Sequence, residues 1–242
     1  IERRHLMQTF SNDDWRSASE LYAFLGNSLL DPMNRTETVG LDVEFWIAIS
    51  RMFNGSLESE ATALASWANG HAQENREHVV RDISVEFTHL FVGPPKPAAA
   101  PWESAYGNVE SHVGFGAATH EMRGIMRDMG LSLQNESNQY EDHIGIELLI
   151  ASEMCRRIAD GLSCDGAGSV VEEIDATPQR SGSNDGDVMD AVRFAEYAIE
   201  HPLRWVGKMR VRVSAEAPDG YFVRVLGLAE AALSWHVRQI EK

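Results

Sequence analysis

The chain has 242 residues, 43% hydrophobic and 24% charged, with 21 Lys and Arg against 37 Asp and Glu and a formal net charge of -16. So acidic a balance argues against general nucleic-acid binding, which draws on phosphate neutralisation by Lys and Arg, and it suits a basic partner. The length supports one well-buried domain or two small ones, and no apolar run nears the roughly 18 residues that span a bilayer.

Cys155 and Cys164 are the two cysteines, without a Cys-x-x-Cys spacing, so neither a disulfide framework nor a zinc site is expected. The charged start Ile1–His5 has no signal-peptide apolar region behind it, and a cytoplasmic location without membrane insertion is expected.

In chain order, Ser11-Asn12-Asp13-Asp14 offers N-caps for a helix carrying Ala18, Leu21, Tyr22, Leu25 and Leu29 on one face, which Asp31-Pro32 ends. The same period predicts helices over Leu41–Phe53, stopped by Asn54-Gly55, then over Leu57–Ala72 and Asn75–Phe91. A helix over Ser111–Met129 ends at Gly130; its Met122, Met126 and Met129 either fill the core or line an adaptable peptide surface. Asp142 is expected to cap a helix that runs to about Asp160, or to lie in its first turn.

The stretch Gly161–Gly186 is rich in Gly, Ser, Asp and Thr and reads as a flexible excursion with at most a helical turn at Val170–Ile174. Helical period returns over Asp187–Ile199, Pro202 suits a first helical position, and Tyr221–Ile240 is the last helix. With no alternating strand series, residues 1–242 are predicted to form a single all-α bundle of about ten helices.

Two stretches stand out. In the first, Phe87, Leu90 and Phe91 close a helix, Gly93 and Pro94-Pro95 stop it, and a proline-rich path leads to Pro101-Trp102-Glu103-Ser104-Ala105-Tyr106. A large aromatic beside a carboxylate on a stiff loop is a recognition element or a buried plug in a rigid connection, and for the loop alone the plug is the more common case. The second is Tyr140-Glu141-Asp142-His143-Ile144-Gly145-Ile146-Glu147-Leu148. His143 and Glu147 share a helix face, which suits a metal only if further ligands converge, and no His-Glu-x-x-His pattern is present. Asp142 and His143 also suit acid–base catalysis, as in a hydrolase, but no nucleophile motif or cofactor fingerprint accompanies them.

The two stretches together resemble the TorD/DmsD/NarJ-type chaperones that mature molybdenum-cofactor redox enzymes, most closely the TorD/DmsD branch. The resemblance rests on Leu90-Phe91-Val92-Gly93-Pro94, Pro101 to Tyr106, and Asp142-His143 with Glu147-Leu148. A weaker third element is Phe194, His201-Pro202 and Trp205. The resemblance implies an all-α, non-catalytic, cytoplasmic protein without metal or cofactor. Its partner would be an apo molybdoenzyme, recognised through a twin-arginine leader peptide, the enzyme body or both, and held until the cofactor is inserted.

In the family, the Asp-His motif and the proline-loop tryptophan are implicated in leader binding, which carries over to Asp142, His143 and Trp102. Glu103, Tyr106, Tyr140 and Glu147 add carboxylates and aromatics to that candidate site, and Gly93, Pro94, Pro101 and Ser104 shape its loop. Family members are monomers or domain-swapped homodimers. A helical scaffold without a groove, and a hydrolase built on Asp142 and His143, are the competing classes.

Overall fold

Ser11 starts the first helix, α1 (Asn12–Leu30), through a reciprocal cap: its hydroxyl accepts from Asp14 N at 3.2 Å, and Asp14 accepts from Ser11 N at 2.8 Å. The computed structural model describes residues 10–107, 115–133, 139–161, 174–176 (backbone only) and 190–241. After α1 come α2 (Val43–Met52) and α3 (Ser56–His71), joined through Gly55 at φ 69. Next is α4 (Arg76–Phe87), capped by Asn75. A π turn (Thr88–Val92), the proline-rich loop and a 3-10 turn (Glu103–Tyr106) lead to α5 (Ala117–Asp128). The remaining helices are α6 (Ile144–Asp160), α7 (Ala191–Glu200), α8 (Pro202–Glu216, with Pro202 in its first turn) and α9 (Tyr221–Ile240).

The predicted all-α architecture is observed, with one addition. Three-residue strands β1 (Leu131–Leu133) and β2 (Ile174–Ala176) pair antiparallel, Leu131 opposite Ala176. Ile174, expected to close a helical turn, opens a strand instead; a three-residue partner strand leaves no period to read. The rest of the expected flexible excursion, 162–173 and 177–186, lies outside the described residues.

Helix α6 is the axis of the molecule. Every residue from Asp142 to Cys155 is buried, so this helix is covered on all sides rather than on one stripe. Its closest neighbour is α1, and glycines set the spacing: a Cβ on Gly145 would lie 2.8 Å from Gly26 O, and one on Gly26 would lie 2.8 Å from Gly145 O. Helix α9 lies against α3 and α8 and is held at its start by Glu86 of α4, whose carboxylate accepts from Tyr221 N and Phe222 N at 3.2 and 3.1 Å. Met122, Met126 and Met129 are buried, and so fill the core. No helix among the described residues is long and apolar enough to cross a membrane.

Candidate functional site

The proline-rich loop is built from its glycine outward. Gly93 has φ 91, and a Cβ there would meet the Lys96 backbone at 2.6 Å, so only glycine fits. The Pro94–Pro95 peptide is cis. The chain then folds back on the π turn, with Ala99 N donating to Leu90 O at 2.8 Å. It next runs antiparallel to the start of the second motif. Ile144 N donates to Pro101 O and Glu103 N to Asp142 O, both at 2.9 Å, with Trp102 and His143 forming the bridge between them. The two sequence motifs therefore meet through their backbones.

Asp142 reinforces that junction from inside. It is fully buried; one carboxylate oxygen accepts from Ser104 N at 3.0 Å and the other from the Thr119 hydroxyl at 2.9 Å. Gly116 N in turn donates to Thr119 Oγ1 at 3.1 Å. One side chain thus ties the loop, the start of α5 and the start of α6. The expectation that Asp142 caps α6 is corrected: His143 is the N-cap, its Nδ1 accepting from Gly145 N at 3.0 Å. With Asp142 O bonded to Glu103 N and both carboxylate oxygens engaged, no atom of Asp142 is left to cap. Burial pushes the His143 pKa down to about 3, so the ring is neutral and carries its proton on Nε2.

The other two motif carboxylates face α8. Glu103 is 4% exposed and accepts from Arg204 Nε at 3.0 Å and from a second guanidinium nitrogen of Arg204; His201 Nδ1 lies 3.2 Å from its other oxygen. Glu147, fully buried, accepts from Trp205 Nε1 at 3.0 Å, while Tyr197 OH donates to Glu147 O at 2.7 Å. Burial first, and then the neighbouring Glu103, raise the Glu147 pKa well above the ordinary carboxylate range. Its Oε1 has no hydrogen-bond partner among the described residues. Tyr106 stacks on Trp205 with ring centroids 5.1 Å apart, under the Arg212 guanidinium at 4.4 Å.

What reaches solvent is aromatic. Trp102 is half-buried, Tyr140 is 37% exposed and Phe115 45%. Their rings form a chain, Trp102 to Tyr140 at 6.4 Å and Tyr140 to Phe115 at 5.5 Å, with His120 beyond at 5.1 Å from Phe115. Next to it opens a cleft of about 610 Å3, lined by Tyr140, Met126, Leu131, Leu133, Arg123 and Glu141. Trp102 Nε1, Ser104 Oγ and Tyr106 OH have no hydrogen-bond partner among the described residues.

The seven residues predicted to bind the peptide gather in one place, but on two levels. Trp102 and Tyr140 form the surface, and Glu103, Tyr106, Asp142, His143 and Glu147 lie beneath it. Of the weak third element, His201 and Trp205 join the site, whereas Phe194 packs against Trp15 and Tyr22 in the core. Phe115, Thr119, Tyr197 and Arg204 were missed, and only Tyr197 and Arg204 had a signal, their place inside the Phe194–Trp205 element.

The Asp142 oxygens contact Ser104 and Thr119 rather than the His143 ring, so the acid–base pair is not assembled. Among the described residues no group of three His, Cys, Asp or Glu side chains is placed to hold a metal ion.

A family model described as nitrate reductase delta subunit matches residues 53–183, just over half the chain. The "Tat proofreading chaperone DmsD" of Salmonella typhi is 33% identical over 97 residues, which is 40% of this chain and 44% of that protein. The "Probable Tat proofreading chaperone DmsD" of Haemophilus influenzae is 29% identical over 72 residues, 30% of this chain and 35% of its own length. The "Chaperone protein TorD" of Photobacterium profundum is 31% identical over 75 residues, 31% of this chain and 34% of its own. The chain thus spans less than half the length of the curated relatives it matches. No solved structure matches it.

Proposed function

The chain belongs to the nitrate reductase delta subunit family, and from that premise we propose that it is a TorD/DmsD-type maturation chaperone. In this reading it binds the apo form of a molybdopterin-containing oxidoreductase, through a twin-arginine leader, the enzyme body or both, and holds it for cofactor insertion before export. The observation that carries the reading is the backbone pairing of Pro101–Glu103 with Asp142–Ile144 directly beneath an exposed aromatic patch. Trp102, Tyr140 and Phe115 offer apolar faces to the leader's apolar segment, and the adjoining cleft gives it depth. Glu103, Tyr106, Asp142, His143 and Glu147 act as positioning residues that hold those faces in place. The relatives' names, which describe proofreading chaperones, support a non-enzymatic role.

Titration calorimetry with a synthetic leader peptide tests the proposal. Tyr140→Ala and Phe115→Ala remove exposed rings and leave the buried network intact, so each is expected to weaken binding about five- to thirtyfold, a loss of roughly 1–2 kcal/mol. Wild-type affinity in the double variant, or no binding by the wild-type chain, refutes the leader reading. The protein acts as a monomer or a domain-swapped homodimer, and sedimentation velocity at several concentrations separates the two.

A further inference from the structure

Helix α8 carries four of the chain's 21 basic residues, Arg204, Lys208, Arg210 and Arg212, and no acidic residue before Glu216. In a chain of net charge -16 such a stretch stands apart. Arg210 pairs with Glu60 of α3 and Glu230 of α9. Arg204, Lys208 and Arg212 are exposed, follow one another at four-residue steps, and all fold onto the Glu103–Tyr106 turn. Arg204 Nε donates to Glu103 at 3.0 Å, Lys208 Nζ donates to Tyr106 O at 3.4 Å, and the Arg212 guanidinium lies over the Tyr106 ring.

Of these three cations only Arg204 meets a carboxylate among the described residues, although Asp and Glu outnumber Lys and Arg by 37 to 21. Lys208 and Arg212 are nonetheless held, the ammonium by a carbonyl and the guanidinium by a ring face, so less side-chain freedom is lost when a partner binds. Tyr106 is 7% exposed, and its hydroxyl has no hydrogen-bond partner among the described residues. Burial pushes its pKa up to about 12 against the pull of Arg212, so the hydroxyl keeps its proton and lacks an acceptor. Val211, between the two cations in sequence, is 71% exposed, more than any other large hydrophobic side chain among the described residues.

We propose that the outer face of α8 docks an acidic helix of a partner protein. One carboxylate of that helix pairs with Lys208, a second, four residues on, pairs with Arg212 and the Tyr106 hydroxyl, and an apolar side chain between them covers Val211. The spacing sets the shape of the partner. Residues four apart on a helix lie about 6 Å apart along its axis, so a row of cations on α8 matches a row of carboxylates on another helix. The net charge of the chain repels an acidic partner at long range, so the attraction comes from this patch alone. A nucleic-acid strand meets the same repulsion and gains nothing from Val211. The surface uses none of the exposed rings of Trp102, Tyr140 and Phe115, and the inference does not rest on the leader reading.

The test is calorimetry and methyl NMR of the full chain with a helical, alanine-based peptide. The probe carries two Glu four residues apart and a Leu on the same face, and its control carries Gln in place of both Glu. The Glu peptide is expected to bind saturably and to shift the Val211 methyl signals, while those of Val192, exposed on α7, stay still. The Gln peptide is expected to bind at least tenfold more weakly. Lys208→Gln/Arg212→Gln, checked for an unchanged circular dichroism spectrum, is expected to weaken the Glu peptide at least tenfold. Tyr106→Phe keeps the ring under Arg212 and is expected to weaken it about fivefold, the worth of one hydrogen bond. Arg35→Gln/Arg51→Gln makes the same charge change at exposed sites elsewhere and is expected to alter binding less than about twofold. No binding of the Glu peptide, equal binding of the Gln peptide, an equal loss in the Arg35/Arg51 variant, or shifts at Val192 instead of Val211 overturn the proposal. Displacement of the peptide by an equal concentration of inorganic phosphate or of a single-stranded oligonucleotide overturns it too. Tyr140→Ala/Phe115→Ala keeps the two readings apart: loss of the leader peptide with the Glu peptide still bound sustains this surface, and loss of both overturns it. A wild-type chain that binds the Glu peptide but no leader refutes the leader reading alone.

Discussion

Replacing Asp142 by Asn perturbs the tie between the loop, α5 and α6 with almost no change of volume. The carboxylate accepts from Ser104 N at 3.0 Å and from the Thr119 hydroxyl at 2.9 Å. Asn has one carbonyl oxygen and one NH2, so only one of these bonds survives. If the oxygen stays on Ser104 N, the NH2 donates to Thr119 Oγ1. Gly116 N already donates to that oxygen, so the hydroxyl hydrogen loses its acceptor.

A hydrogen bond to a charged group is worth about 1.5–3 kcal/mol and its neutral replacement about 1, so the net loss is about 1–2 kcal/mol. At about 2–4 °C per kcal/mol for a domain of this size, the melting temperature falls by about 2–8 °C. Thr119→Val leaves one buried Asp142 oxygen without a donor and costs about 1–3 kcal/mol. In urea titrations of both single variants and the double, the second change falls on a bond already lost. The coupling is expected to be about 1 kcal/mol or more. Single-variant effects that add to within about 0.5 kcal/mol would show that Asp142 and Thr119 act independently, and the clamp would not be one unit.

Acid should loosen the fold through its buried histidines. Burial lowers the His143 pKa to about 3 and that of His236 to about 4, both below the ordinary value of about 6.5. The unfolded chain therefore takes up protons that the fold refuses. Stability is whole above about pH 6.5 and falls towards pH 4 by at most about 1.4 kcal/mol per pH unit per histidine. His143→Gln should roughly halve that slope in denaturant titrations at pH 7, 5.5 and 4.5, and an unchanged slope contradicts a neutral buried ring. Glu147 has the opposite sign: the fold holds a proton that the unfolded chain gives up above about pH 4.5, so its contribution declines as pH rises. Glu147→Gln keeps an acceptor for Trp205 without titrating. It should gain stability relative to wild type between pH 5 and pH 8, whereas a constant difference refutes a raised Glu147 pKa. Gly145→Ala drives a methyl into Gly26 O and the Leu30 Cβ at 2.8 and 2.9 Å, and thermal unfolding should show a loss of about 1–3 kcal/mol.

The helices were legible because their signals are local. Ser11 caps α1, Asp31 closes it, and the last predicted helix, Tyr221–Ile240, matches α9 residue for residue. Asp142 was misread as a cap because aspartate is a favoured capping residue and its other partners lie far off in sequence, Ser104 on the loop and Thr119 on α5. Placing Glu103 and Glu147 at a peptide-binding surface followed from the carboxylates that a basic leader calls for. Here burial is compensated by Arg204, His201 and Trp205, and that compensation is visible only once α8 has been laid against the loop. Sequence order could place both motifs in one chain but not bring them together, since their contact is made by backbone atoms, which every residue shares.

That backbone contact has a polymer-physics consequence. Fastening Trp102 to His143 closes a ring of chain on the order of 40 residues, and the entropy of closing a ring rises only with the logarithm of its length. Doubling the intervening span would cost about 0.6 kcal/mol, less than the single buried hydrogen bond from Thr119 to Asp142 contributes. The span that contains α5 and β1 is therefore free to lengthen or shorten between relatives while the junction keeps its geometry. A partner-specific surface can change there without refolding the fastening that presents it.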